Sequence, residues 1–307
     1  MQDTEATEQL PDIDAQVKMH DGELDIDATL VKRLLMAQFP ALADQPLAIV
    51  RSTGTVNAVY RLGHDRCVRL SRMPAWAEGL KAEWQWLPVL APQLSLAIPK
   101  PLALGAPTAW YPYPWAIYTW IEGLPYRDEL IRDEREAALD LVKFIGELRQ
   151  INAAGAPRGG RRPLHELDEP TRTTIASLRD EIDGAAVSTV WEDALAASPW
   201  DGQPVWIHGD LLRSNLLVQH GRLCAVIDFG SVGVGDPAMD VVPAWSVFHR
   251  AGRATFRAAL QVDDATWRRA RGYALHQALL IMPYYPQTNP DFVTMAKRTI
   301  REILTEV

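Results

Sequence analysis

A carboxylate at Asp210, a carboxamide at Asn215 and a second carboxylate at Asp228 lie in the segments Ile207-His208-Gly209-Asp210-Leu211-Leu212-Arg213-Ser214-Asn215-Leu216-Leu217-Val218 and Ala225-Val226-Ile227-Asp228-Phe229-Gly230. Phosphoryl transfer needs a base at the attacking hydroxyl and oxygen ligands that hold Mg²⁺ on the phosphates. Four residues separate Asp210 from Asn215, a spacing at which one loop supplies both. The apolar runs 216–218 and 223–227 flank Gln219-His220-Gly221-Arg222, which predicts a β-hairpin with a glycine in its turn. Such a hairpin sets Asn215 and Asp228 side by side at its open end, with Asp210 in the loop before it. Mg²⁺ takes oxygen ligands and keeps waters and substrate phosphates for the rest of its shell, so the trio forms a compact metal–phosphate site. Asp and Asn are also ordinary turn residues, and it is the two segments in order, joined by a hairpin of the right length, that carry the inference. His208 is expected to be a hydrogen-bonding scaffold rather than a base.

The elements that must position this site fall into two groups. Residues 47–50, 56–62, 67–70 and 115–123 read as strands, broken by Ser52-Thr53-Gly54-Thr55 and Gly63-His64-Asp65. Asp27 caps an amphipathic helix carrying Leu30, Val31, Leu34 and Leu35, and residues 77–90 are helical in period. Beyond residue 123 the pattern is mainly helical. Residues 134–151 are the clearest case, with Ala138, Leu141, Val142, Ile145 and Leu148 on one face, and residues 239–260, 264–282 and 290–306 follow. Residues 155–170, rich in Gly, Pro and Arg, read as a loop. The expected class is α+β in two lobes: a polar lead-in over 1–24, a small β-rich lobe over 25–122, and a larger mainly helical lobe over 123–307 that carries the catalytic hairpin. A cleft between two lobes is a usual place for a ligand.

Composition narrows the partners. The 307-residue chain has a net charge of −8, which argues against nucleic acid, whose phosphates need a basic surface, and suits a cationic substrate. Cys67 and Cys224 each sit in an apolar run and read as small buried thiols, not a disulfide, which fits a cytoplasmic protein. The acidic start lacks the features of a secretory signal, and no apolar stretch approaches the roughly 20 residues that span a bilayer, so no membrane partner is expected.

From about residue 45 to 250 the chain resembles the aminoglycoside phosphotransferase family, relatives of protein kinases and choline kinases with the same two-lobed, protein-kinase-like fold. The resemblance rests on His208-Gly209-Asp210 with Asn215, on Ile227-Asp228-Phe229-Gly230 and on Val234-Gly235-Asp236-Pro237-Ala238-Met239-Asp240. It implies transfer of the γ-phosphate of ATP or GTP to a hydroxyl of a small molecule, an aminoglycoside or similar antibiotic first, with a macrolide, choline or another hydroxylated metabolite as alternatives, or a catalytically silent kinase-like binding protein. The resemblance also implies that 25–122 is the nucleotide-binding lobe including the hinge and 123–307 the catalytic and substrate-binding lobe. Asp210 would orient the hydroxyl and accept its proton, and Asn215 and Asp228 would hold Mg²⁺. Arg213 reaches the transferring phosphate or is a solvated surface arginine. Asp236 and Asp240 are expected to cap or brace the following helix.

In the small lobe the resemblance places a nucleotide-covering turn at Thr53, Gly54 and Thr55, with a single glycine. Cys67-Val68-Arg69 stands where relatives carry A-I-K, so Cys67 would border the base and Arg69, in place of lysine, would reach the phosphates, paired with Glu83 rather than Glu78. Thr119, Trp120 and Ile121 would offer hinge amides and carbonyls to the purine. For a polycationic acceptor the candidate carboxylates are Glu166, Asp168 and Glu169, Glu181 and Asp183, and Asp263 and Asp264, although a solvated helix face or cap is the commoner use of each cluster. Trp191, Trp200, Trp206 and Trp245, with Tyr284 and Tyr285, either line an apolar or choline-type pocket or fill the core.

Overall fold

The computed structural model describes residues 22–50 and 57–306. Five strands, β1 (Leu47–Ile49), β2 (Asn57–Leu62), β3 (Arg66–Ser71), β4 (Pro101–Gly105) and β5 (Trp115–Thr119), form an antiparallel sheet in the order β1-β2-β3-β5-β4. Alternation gives the sheet two chemistries. Ala58, Tyr60, Leu62, Val68 and Leu70 point to one face and bury against Val31, Leu34 and Leu35 of helix α1 (Ala28–Gln38), while Cys67 and Arg69 point to the other. Asp27 caps α1 by accepting from Leu30 N at 2.7 Å. Strand β4 is an edge strand that opens on a proline and leaves Leu102 and Leu104 exposed; sequence patterning passes over it because its proline reads as a terminator.

Helix α2 (Pro74–Leu90) crosses from this sheet to the larger lobe, with Trp86 packed edge-on against Trp206 at 4.9 Å. The larger lobe carries two small sheets, β6 (Leu124–Pro125) with β8 (Leu216–Gln219) and β9 (Arg222–Val226), and β7 (Val205–Ile207) with β10 (Gly233–Gly235). Around them lie α3 (Glu134–Gln150), α4 (Asp168–Ser177), α5 (Gly184–Leu195), α6 (Pro243–Ser246), α7 (Arg250–Leu260), α8 (Asp264–Tyr284) and α9 (Pro290–Leu304). Helix α3 buries Ala138, Leu141, Ile145 and Leu148 as its period predicts. Helix α8 is buried on nearly every side and forms the axis of this lobe.

Two expectations are corrected. Residues 155–170 do not stay a loop: a 3₁₀ turn covers Leu164–Leu167 and α4 starts at Asp168. Residues 239–260 are not one helix. A 3₁₀ turn at Pro237–Val241, the short α6 and a break precede α7, because prolines 237 and 243 each start a new turn and the Val247 carbonyl accepts from the guanidinium groups of Arg213 and Arg298 instead of a helical amide. Among the described residues no helix is long and apolar enough to cross a membrane.

Candidate active site

The predicted hairpin is β8–β9, closed by His220 (φ 53°) and Gly221 (φ 83°), a two-residue turn with both residues left-handed. Its open end is held by Ile227 N donating to Asn215 O at 2.9 Å, which sets Asn215 beside the start of Asp228-Phe229-Gly230. Asn215 Nδ2 donates to Asp210 O at 2.9 Å and to Asp210 Oδ2 at 3.1 Å. The amide nitrogen is thereby committed, and Oδ1 takes only a 3.4 Å contact from Ser214 Oγ, so it keeps the capacity to bind a cation. Asp228 adopts φ 64°, a strained backbone that aspartate tolerates better than most side chains and that concentrates at functional sites. Burial pushes the Asp210 carboxyl above the usual carboxylate range against the opposing charge of Arg161, and Asp228 adds to the rise.

Behind the trio stands a support that sequence patterning assigned to a different place. Asp240, fully buried, does not brace the helix after it: its Oδ2 accepts from His208 N and its Oδ1 from Gly209 N, both at 2.9 Å. Asp236 does cap its turn, accepting from Ala238 N at 2.9 Å. His208 Nδ1 accepts from Asp210 N at 3.2 Å, which puts the ring proton on Nε2, 3.2 Å from Ile227 O. Both nitrogens are therefore engaged in holding the loop to the hairpin, the scaffold role expected of this histidine. Gly209 (φ 80°) has no room for a side chain, since a Cβ would lie 3.0 Å from Ser231 O and 3.1 Å from Gly160 Cα. Gln277, on α8, donates Nε2 to Asp210 Oδ1 at 2.9 Å; no local signal in the sequence pointed to it.

On the sheet side Arg69 Nη1 meets Glu83 Oε1 and Oε2 at 2.6 and 2.8 Å, and Nη2 meets Asp228 Oδ1 at 2.7 Å. Tyr118 Oη donates to Glu83 Oε2 at 2.8 Å, and Asn57, with its amide oxygen toward the guanidinium, accepts from Arg69 Nη2 and Nε at 2.7 and 2.9 Å. Burial alone would weaken the Arg69 charge, but Glu83 and Asp228 hold it firmly protonated. Glu78 instead pairs with Lys81 on the surface. One arginine thus ties the small sheet and α2 to Asp228 in the larger lobe.

Residues 49–273 match the model of the phosphotransferase enzyme family (APH). The chain belongs to that family. It is 28% identical over 120 residues to an aminoglycoside 3'-phosphotransferase of Salmonella typhimurium, a match covering 37% of this chain and 44% of that protein, so it spans under half the length of this curated relative. To the viomycin phosphotransferase of Streptomyces vinaceus it is 29% identical over 192 residues, 59% of this chain and 67% of that one. Among solved structures it resembles the GDP complex of wild-type aminoglycoside 2'-phosphotransferase-IIIa (TM-score 0.69, 19% identity, 91% of this chain and 98% of that one). The macrolide 2'-phosphotransferase of Brachybacterium faecium aligns with TM-score 0.57 at 20% identity over 88% of this chain and 97% of that one. These likenesses show the fold, the two-lobed kinase-like architecture.

Not every predicted residue of this family member reaches the cluster. Arg213 does not: its guanidinium grips Asp128 at 2.6 and 3.1 Å and the Val247 carbonyl at 2.6 Å, over the Tyr126 ring, so it fastens the loop's outer side. The Thr119 amide donates to Lys100 O at 2.9 Å and the Trp120 amide to Asp65 O at 2.8 Å, so neither N–H is open to a purine. Cys67 faces the cleft side as alternation predicts, its thiol pushed up to about 11 by burial. Thr53, Gly54 and Thr55 lie outside the described residues. Most of the acidic candidates are engaged elsewhere: Asp168 holds Arg172 and Trp191, Glu181 holds Lys297, Asp183 and Asp263 cap α5 and α8, and Asp264 holds Arg257, whereas Glu166 lines a cavity of about 850 Å³ beside Arg161. Trp191, Trp206 and Trp245 are core, whereas Tyr284 and Tyr285 line a cavity of about 400 Å³ that opens on Asp210.

Proposed function

We propose that this chain is a kinase that moves the γ-phosphate of ATP or GTP to a hydroxyl of a small molecule, an aminoglycoside or similar antibiotic or another compound of that size. The observation that carries the proposal is the convergence of Asp210, Asn215, Asp228 and the Arg69–Glu83 pair, joined to one another by the hydrogen bonds Asn215–Asp210, Arg69–Glu83 and Arg69–Asp228. Asp210 accepts the acceptor hydroxyl's proton and aligns its oxygen, while Gln277 and Asn215 keep the carboxylate from turning. Asn215 Oδ1 and the Asp228 carboxylate are an all-oxygen donor set that fits Mg²⁺, which would neutralise phosphate charge when bound. Arg69 offers its charge to the nucleotide phosphates, and Ile121 its amide to the base. Residues 25–122 serve as the nucleotide lobe and 123–307 as the catalytic and acceptor lobe. Two free thiols support a cytoplasmic location.

The test is coupled detection of ADP and GDP release with Mg²⁺ across aminoglycosides, macrolides, choline and small hydroxylated metabolites. Acceptor-dependent release in one arm is the expected result and names the nucleotide. Tight Mg²⁺–nucleotide binding with no release for any acceptor would overturn the kinase assignment in favour of a binding protein.

A further inference from the structure

The cavity on Asp210 is walled by Leu212, Tyr284, Tyr285 and Phe292, and its charged rim residue besides Asp210 is Arg161. Arg161 also lines a second, larger cavity of about 850 Å³, together with Arg158, Arg162, Trp200 and Tyr273 and with Glu166 as a carboxylate among these arginines. Arg161 lines both cavities, so it stands between the second cavity and the one that reaches Asp210. Arg269, also in the second cavity, is neutralised by Asp236 at 2.8 Å. Among the described residues, Arg158, Arg161 and Arg162 have no ion-pair partner, in a chain whose net charge is −8.

These three side chains do not ride on a free loop. Gly159 N donates to Val234 O and Gly160 N to Ser231 O, both at 3.0 Å, and Val234 N donates to Pro157 O at 2.7 Å, which sews the loop to β10, a few residues past Asp228. Gly160 takes φ 71°, and a Cβ on Gly159 would lie 2.5 Å from Gly233 N, so glycines at 159 and 160 are what let the backbone sit this close. The charge also reaches inward. Buried His276 of α8 is pushed down to about 4 by burial and by the fields of Arg161 and Arg162. The backbone that carries these arginines is fixed, while Arg158 and Arg162 are exposed and Arg161 is half-buried; guanidinium groups gathered in this way match the paired oxygens of a carboxylate or phosphate and disfavour ammonium groups.

We infer that the acceptor carries an anionic group, a carboxylate or a phosphate, which the Arg158–Arg161–Arg162 loop binds while an apolar part of the molecule lies on the Tyr284–Tyr285–Phe292 wall and its hydroxyl meets Asp210. This rests on the kinase assignment and narrows its acceptor from the polycationic aminoglycosides to another hydroxylated compound, one that carries an anion. Binding is read by tryptophan fluorescence titration with four probes that share one ring and one hydroxymethyl group: 4-(hydroxymethyl)benzoate, 4-(hydroxymethyl)phenyl phosphate, the neutral 4-(hydroxymethyl)benzamide and the cationic 4-(aminomethyl)benzyl alcohol. At least one anionic probe is expected to bind roughly tenfold or more tighter than the amide, with the advantage shrinking at high salt and vanishing in Arg161→Gln/Arg162→Gln. Whichever of benzoate and aryl phosphate binds tighter identifies the group. Because these guanidinium groups hold no ion pair, thermal unfolding of the double variant should match the parent, and Arg161→Lys should restore part of the advantage.

The inference is overturned if the amide or the amine binds as tightly as both anions, or if the anionic advantage survives in the double variant. It is also overturned if Arg161→Gln lowers kcat equally for anionic and neutral acceptors at unchanged KM, which would assign Arg161 to the transferring phosphate. The kinase assignment fails separately: if anionic probes bind through Arg161 but neither they nor any other acceptor is phosphorylated in the presence of Mg²⁺ and ATP or GTP, the arginine loop remains an anion site and the reading of its ligand as a phosphate acceptor falls with the kinase assignment.

Discussion

Arg69→Met removes the cation from a carboxylate that has almost no water. Glu83 is 1% exposed and takes two of its three side-chain hydrogen bonds from Arg69, at 2.6 and 2.8 Å; the third, from Tyr118 at 2.8 Å, remains. A buried carboxylate deprived of its ion-pair partner costs about 3–5 kcal/mol of folding free energy. Adding Glu83→Gln in the same chain deletes the uncompensated charge, keeps an oxygen for the Tyr118 hydroxyl and should recover about 2 kcal/mol or more, a coupling read directly from the double-mutant cycle. Nucleotide affinity should behave differently, since neither substitution returns a charge to the phosphates or to Asp228, and the double variant should bind a fluorescent ATP analogue with Mg²⁺ no better than Arg69→Met. Urea unfolding at pH 7, followed by tryptophan fluorescence and extrapolated linearly, measures the first quantity. An Arg69→Met chain within about 1 kcal/mol of wild type, or a double variant no more stable than the single, would refute the claim that this pair is a mutually dependent buried ion pair. Recovery of nucleotide affinity in the double variant would remove Arg69 from the phosphate site.

Three further outcomes follow from the geometry. Asp210→Ala should lower kcat by about 10²–10⁴ while leaving Mg²⁺–nucleotide affinity near wild type, and Asp228→Ala or EDTA should abolish the Mg²⁺-dependent part of that affinity, both measurable by single-turnover kinetics and nucleotide titration. In Asp240→Asn one of the two amides, His208 N or Gly209 N, must face an NH₂ group instead of an oxygen, so unfolding free energy should fall by about 1–3 kcal/mol and kcat should fall with it; an unchanged kcat would separate the loop from its Asp240 anchor. Burial and the charges of Arg161 and Arg162 press His276 from 6.5 down to about 4, so the folded chain favours its neutral form. Above pH 6.5 this costs nothing; as pH falls toward 4 the unfolded chain takes up the proton first and the folded state loses about 3 kcal/mol, and His276→Gln should flatten this part of the urea-stability profile between pH 7 and 4.

What could be read from the sequence is what is local along it. Asp210, Asn215 and Asp228 sit within one loop and one hairpin, whose turn needs positive φ at His220 and Gly221, so a short stretch of chain contains both the chemistry and the geometry that assembles it. The partners that finish the site come from far away: Gln277 lies 67 positions from Asp210, and Arg69 lies 159 positions from Asp228. Arg69 was legible only because the family resemblance points to its strand position, and Gln277 had no such guide. Arg213 shows the opposite failure. Its place in the catalytic loop suggested a phosphate contact, but Asp128, 85 positions upstream, and the Val247 carbonyl offer it an ion pair and an acceptor on the loop's outer side. The same carbonyl explains the helix that was expected over 239–260 and did not form in one piece. Apolar periodicity registers only which face of a segment is buried, and residues 241–248 are indeed buried throughout. Whether the backbone there closes its own helical bonds depends on what else competes for them, and at Val247 the competitors are guanidinium groups brought in from positions 213 and 298. The arginine that was expected to serve chemistry and the helix that was expected to be continuous are thus one event, a charged side chain capping a broken helix and, in doing so, fixing the outer wall of the loop that presents Asp210.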